Sequence, residues 1–123
     1  MMIDFDVDDA LERTAGDRNL LGEVIRFTLE DLPDLIDGMS VSLVEGRFPD
    51  TARLAHKARG SAGACGARRL YVAALDLEMA GEKGEVENTA LLDSLKEAFD
   101  AFRAHPDVRE FASLDAGGEA SIG

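Results

Sequence analysis

Apolar residues recur three and four positions apart along nearly the whole chain, and no stretch alternates residue by residue as a half-buried strand does. A chain with that period buries helical stripes against one another, so the expected fold class is all-α. A short first helix is predicted over Val7 to Thr14, with Asp6 as its cap. Gly16-Asp17 breaks it, and Asp17 can cap a second helix running to about Glu30. Asp31-Leu32-Pro33 reads as a boundary, because proline lacks the amide hydrogen and is tolerated only in a first turn. Leu35, Ile36, Met39 and Leu43 mark the next helix, ending near Gly46. Pro49 opens another to about Cys65, and Ala67 to Ala80 forms the one after it. Gly81 to Glu85 is a polar, glycine-bearing loop, and a last helix runs from about Asn88 to Ala104, stopped before Pro106.

Short loops between amphipathic helices imply an up-and-down antiparallel four-helix bundle with one or two extra N-terminal helices. The helices from Asp31, Pro49, Ala67 and Asn88 are expected to form the bundle proper, with the helix from Asp17 across one end or side. Residues 1–110 are expected to be this one domain and residues 111–123 a flexible tail, since little beyond Leu114 can be buried.

The chain has 123 residues, enough for a core without disulfides or a structural metal. Its single cysteine, Cys65, cannot pair internally and fits a reducing cytoplasm. No signal peptide opens the sequence and no apolar run is long enough to span a membrane, so neither export nor a membrane partner is expected. A net charge of −12 argues against nucleic acid, whose phosphates demand a basic footprint. Against that acidity, Arg53, Lys57, Arg59, Arg68 and Arg69 stand out. They form either an island of positive potential or, for Arg68 and Arg69 especially, ordinary solvated helix charges.

Three of those cations belong to the most informative run, Ala55-His56-Lys57-Ala58-Arg59-Gly60-Ser61-Ala62-Gly63-Ala64-Cys65-Gly66, or stand just before it. The inward stripe of this helix is Thr51, Leu54, Ala55, Ala58, Ala62 and Cys65. His56 falls outside that stripe, beside Arg53, Arg59 and Gly60 at helical offsets of three and four. A lone histidine is most often an ordinary surface or core residue. Here, however, a glycine that costs the helix about 1 kcal/mol follows one turn later, which leaves bare backbone where something large can approach. His105, before Pro106 at a helix end, lacks these neighbours and reads as structural. A metal site on His56 is disfavoured, because the positions three and four away hold Ala52, Arg53, Arg59 and Gly60 rather than ligands. A hydrolase triad is disfavoured too, since no serine or cysteine is placed for activation by His56. The remaining reading is a nucleophilic imidazole presented to a phosphate and to a macromolecular partner.

The pattern His-x-x-Arg-Gly-Ser-Ala-x-x-x-Gly, preceded by Leu54-Ala55, resembles the signature of histidine-containing phosphotransfer (HPt) domains. The likeness extends over about residues 4 to 104 through Ala10-Leu11, Arg13, Gly16-Asp17, Phe27, Asp31, Pro33, Leu77-Glu78 and Ala80. Three positions depart from the pattern: Arg59 stands where lysine is usual, Ala58 where a larger aliphatic is usual, and Cys65 where leucine is usual. The resemblance implies that His56 accepts a phosphoryl group from an aspartyl phosphate on a response-regulator receiver domain and returns it to another receiver. It implies that Arg59 and Lys57 offset phosphate charge, that Gly60 gives the receiver clearance, and that Glu78 orients the imidazole through its other ring nitrogen. No cofactor of its own is expected, magnesium coming with the receiver. Without a nucleotide-binding loop the chain is expected to be a phosphotransfer intermediate, not an ATP-dependent kinase. Its expected partners are receivers and a hybrid histidine kinase, and it is expected to work as a cytoplasmic monomer. The alternative is a receiver-binding adaptor of the same fold that takes no phosphate.

Overall fold

A 27-residue helix carries Pro33 in its middle, in a computed structural model that describes residues 2–114. The elements are α1 (Val7–Arg13), α2 (Arg18–Val44), α3 (Phe48–Ala64), α4 (Arg68–Lys83), α5 (Ala90–Ala104) and α6 (Pro106–Ala112). The boundary expected at Asp31-Leu32-Pro33 is therefore corrected: the segments on either side of it are one helix, α2. The reason lies in its buried face. Leu21, Ile25, Thr28, Leu32, Leu35, Met39 and Ser42 follow one another at alternating steps of four and three, straight through the proline. Five of these are large apolar side chains, each contributing about 1.5–3 kcal/mol on burial. Together they outweigh the roughly 3 kcal/mol that an interior proline costs. The Pro33 ring itself lies on the exposed side.

The caps at Asp6 and Asp17 form as expected, Asp6 accepting from the Asp9 amide at 3.1 Å and Asp17 from the Leu20 amide at 3.0 Å. α4 runs one turn past its expected end, to Lys83, and closes on Gly84 in the left-handed region at φ 68°. Residues 81–83, expected in a loop, are helical. Gly81 is buried in that extra turn, where α4 crosses α3 closely: a Cβ would stand 3.0 Å from both the Ala52 Cβ and the Phe48 carbonyl oxygen. With Thr51, Ala52, Ala55, Ala58 and Ala62 as its buried side chains, α3 offers little bulk to hold its neighbours away.

Pro106 ends α5 but also starts α6, so the helix expected to be the last is followed by another. At a first helical position proline forfeits only an amide hydrogen that has no helical partner. His105 caps this helix, its Nδ1 accepting from the Asp107 amide at 3.1 Å. Val108 and Phe111 are buried, Phe111 meeting Phe5 edge-on with ring centres 6.0 Å apart. The folded body thus extends at least to Leu114, which corrects the domain boundary expected at 110; the rest of the expected tail lies outside the described residues.

Contacts of α2 with α3, α3 with α4, α4 with α5 and α5 with α2 close the four-helix bundle. Their short connections make consecutive helices antiparallel. Among the described residues, one additional helix precedes the bundle and one follows it. The segment ahead of α1 is tied to the α3–α4 turn, the Asp6 amide donating to the Gly66 carbonyl at 2.8 Å and the Arg69 amide to that of Ile3 at 3.0 Å. Gly66 sits at φ 71°, and a Cβ there would lie 2.5 Å from the Asp6 carbonyl oxygen, so this junction accepts only glycine. Cys65 is buried beside it, and that burial pushes its thiol up to about 11.

Candidate functional site

α3 turns its small residues to the core and leaves a strip of its outer surface open. His56 lies on that strip with 63% of its side chain exposed, while the side chain of Glu78, reaching over from α4, is only 10% exposed. Their meeting sets the geometry. His56 Nδ1 lies 2.8 Å from Glu78 Oε2, and the Arg59 Nε donates to Glu78 Oε1 at 2.7 Å. Both carboxylate oxygens are thus engaged. Arg59 Nη1 donates to the Tyr71 hydroxyl at 3.4 Å, and its guanidinium stands 5.8 Å from the centre of the Tyr71 ring.

Burial pushes the Glu78 carboxyl up, but the hydrogen bonds from Arg59 and then His56 together outweigh it and hold the group below its usual range. Arg59 is in turn raised, chiefly by its bond to Glu78 and next by that to Tyr71. An ionised carboxylate can only accept, so the Glu78 contact assigns the proton to Nδ1 and leaves the Nε2 lone pair facing solvent. Arg59 Nη2 also lies 2.9 Å from Nδ1. A guanidinium can only donate, so its bond to Nδ1 requires the opposite tautomer. Glu78 and Arg59 therefore compete for one ring nitrogen, and the Glu78 contact is the one that makes Nε2 nucleophilic.

The structure brings His56, Arg59 and Glu78 into one cluster. The Arg59 guanidinium is on the Nδ1 side of the ring, turned toward Glu78 and Tyr71. Lys57 is exposed, one residue on and so about 100° farther round α3. Gly60 is exposed on the open strip, and a Cβ there would meet no atom within 4 Å. Arg68 and Arg69 are engaged elsewhere, Arg68 with Asp6 at 2.9 Å and Arg69 with Asp4 at 3.5 Å and Glu97 at 3.8 Å. The positive island narrows to Arg53, Lys57 and Arg59, the last already paired. Tyr71 is half-buried and supports Arg59, a role no local spacing signals. Among the described residues, no three His, Cys, Asp or Glu side chains gather as a metal site, and no helix is long and apolar enough to cross a membrane.

No curated protein and no solved structure matches the chain. The family model of the Hpt domain matches residues 23–105, a span that contains α3, α4 and the whole His56 cluster. Hpt domains serve phosphotransfer in two-component signalling and interact with receiver domains and kinases. That match covers well over half of the sequence, and the chain belongs to the Hpt domain family.

Proposed function

We propose that this protein is a phosphorelay carrier whose phosphoaccepting residue is His56. The observation that carries the reading is an exposed imidazole whose Nδ1 is engaged by the buried Glu78 carboxylate. With the proton on Nδ1, the Nε2 lone pair attacks the phosphorus of an aspartyl phosphate on a receiver domain. The Nε2–P bond forms, the bond from phosphorus to the aspartyl oxygen breaks, and aspartate leaves as a carboxylate. The ring then carries positive charge, which Glu78 stabilises through the Nδ1 proton. Attack by the aspartate of a second receiver reverses these steps. Such transfer needs alignment and charge neutralisation more than covalent assistance.

Arg59 keeps Glu78 ionised and aligned, and Lys57 adds positive potential at the rim. Gly60 leaves room for the receiver: helical side chains lean toward the preceding turn, so one at residue 60 would lean across His56. Magnesium enters with the receiver, and a hybrid kinase stands upstream of it. The carrier works as a monomer in the cytoplasm, a reading supported by the mutual repulsion that a charge of −12 sets between copies and by its unpaired Cys65.

The test is incubation with a receiver domain phosphorylated on its aspartate, followed by acid and base treatment of the product. Wild type should acquire a label lost in acid and kept in base, and His56→Ala should acquire none while its helical circular dichroism stays unchanged. Equal labelling of the variant would remove His56 from the mechanism.

A further inference from the structure

With His56 as the acceptor, a phosphoryl group on Nε2 brings negative charge to the outer side of the ring. The charge that meets it has to come from a cation on that side. Arg59, the nearest in the pattern of the motif, is turned the other way: Nε is bonded to Glu78, Nη1 to Tyr71, and Nη2 lies against Nδ1. Arg53 is differently placed. It precedes His56 by three residues, which puts it about 60° round α3 on the side opposite Arg59. Arg53, His56, Glu78, Gly81 and Glu82 line one shallow hollow at the α3–α4 seam. Arg53 is exposed, and among the described residues no carboxylate lies within 4.0 Å of its guanidinium, Glu82 across the hollow included. Its donors are uncommitted, and a guanidinium presents them in a planar fork suited to phosphate oxygens.

We propose that Arg53 is the cation that contacts the phosphoryl group on His56, and that Arg59 is a positioning residue acting through Glu78. This inference rests on His56 being the acceptor. It divides between two arginines what the motif alone would assign to one: Arg59 holds Glu78 ionised and aligned beside the ring, and Arg53 neutralises the incoming group.

The test uses potassium phosphoramidate as a small anionic phosphodonor, so that no partner is needed. Its P–N bond breaks, ammonia leaves and the Nε2–P bond forms. Labelling rates are measured for wild type, Arg53→Gln, Arg53→Lys and Arg59→Gln, alongside the imidazole nitrogen NMR signals of the unphosphorylated proteins. Arg53→Gln should label His56 about two- to fivefold more slowly, the effect of one exposed charge, and the deficit should shrink as salt is raised. Its imidazole signals should match wild type, and Arg53→Lys should recover most of the rate. Arg59→Gln should instead move the imidazole signals, because it alters the competition for Nδ1. Wild-type labelling by Arg53→Gln, or a change in its imidazole signals like that in Arg59→Gln, would overturn the division of roles while leaving His56 as the acceptor. Folded wild type that takes no label at His56 would overturn the acceptor assignment and this inference with it.

Discussion

Replacing glycine by alanine at two positions of the site should move stability in opposite directions. At Gly60 a Cβ meets nothing within 4 Å, so the only effects are on the backbone. Alanine restricts the unfolded chain and suits the helix better, worth about 0.5–1 kcal/mol. At Gly81 the same backbone gain applies, but the new Cβ would stand 3.0 Å from the Ala52 Cβ, 3.0 Å from the Phe48 carbonyl oxygen and 3.1 Å from the Ala52 amide nitrogen. Two of those three atoms are backbone of α3, so relief requires moving a helix rather than rotating a side chain. Overpacking of this kind costs about 1–3 kcal/mol. The net expectation for Gly81→Ala is therefore a loss of about 1–2 kcal/mol. In thermal melts followed by circular dichroism, Gly60→Ala should rise by about 2–5 °C and Gly81→Ala should fall by several degrees. The functional readout separates them again. Gly81 lines the hollow beside His56 and Glu78, so moving α4 away from α3 stretches the 2.8 Å contact that sets the tautomer. Phosphate acceptance from phosphoramidate, which needs no docked receiver, should drop in Gly81→Ala and hold in Gly60→Ala. A Gly60→Ala protein less stable than wild type would mean that this glycine serves internal packing. A Gly81→Ala protein as stable as wild type would show that the α3–α4 crossing has slack the structure does not suggest.

Pro33→Ala should restore an amide donor inside α2 and stabilise the protein by about 1–2 kcal/mol, the helix gain being partly offset by a looser unfolded chain. Urea denaturation checks this, and a loss of stability would contradict the cost assigned to the proline. Asp6 is held below its usual carboxylate value of 3.8, first by the Asp9 amide it caps and then by Arg68. A lowered folded value means that its stabilisation is present above that pH and is lost as pH falls through the folded value. The stability gap between wild type and Asp6→Asn should therefore hold from neutral pH to about 4 and close in stronger acid; a gap that widens in acid would contradict the assignment.

How much of the fold could be read from the sequence depended on whether the decisive contacts were local. Asp6 and Asp17 bond amides three residues away, and their caps were predictable from residue type alone. Pro33 was a case of two legible signals in conflict. The stripe from Leu21 to Ser42 runs unbroken across it, and its burial outweighs the local rule that proline starts or ends helices. The same rule conceals α6: Pro106 stops α5, although Val108 and Phe111 after it carry the spacing of a helical face. The extra turn of α4 was hidden because Gly81 looks like a loop residue. Only the tertiary contact with Ala52 explains a glycine there.

The site divides along the same line. His56, Lys57, Arg59 and Gly60 share one helix, so their relative positions followed from 3.6 residues per turn. The His56–Glu78 pairing spans 22 residues and the Arg59–Tyr71 contact 12, and no periodicity within one helix determines how two helices are rotated against each other. That rotation is what separates Arg53 from Arg59. In the sequence they are symmetric about His56, three before and three after, with the same charge. α4 breaks the symmetry by packing on one side of α3 and presenting a buried carboxylate there. A cation on that side is drawn into orienting the ring, and only one on the other side stays available to an incoming anion. The arginine that the motif emphasises is therefore engaged by the protein's own carboxylate, while its counterpart three residues before His56 carries the free charge.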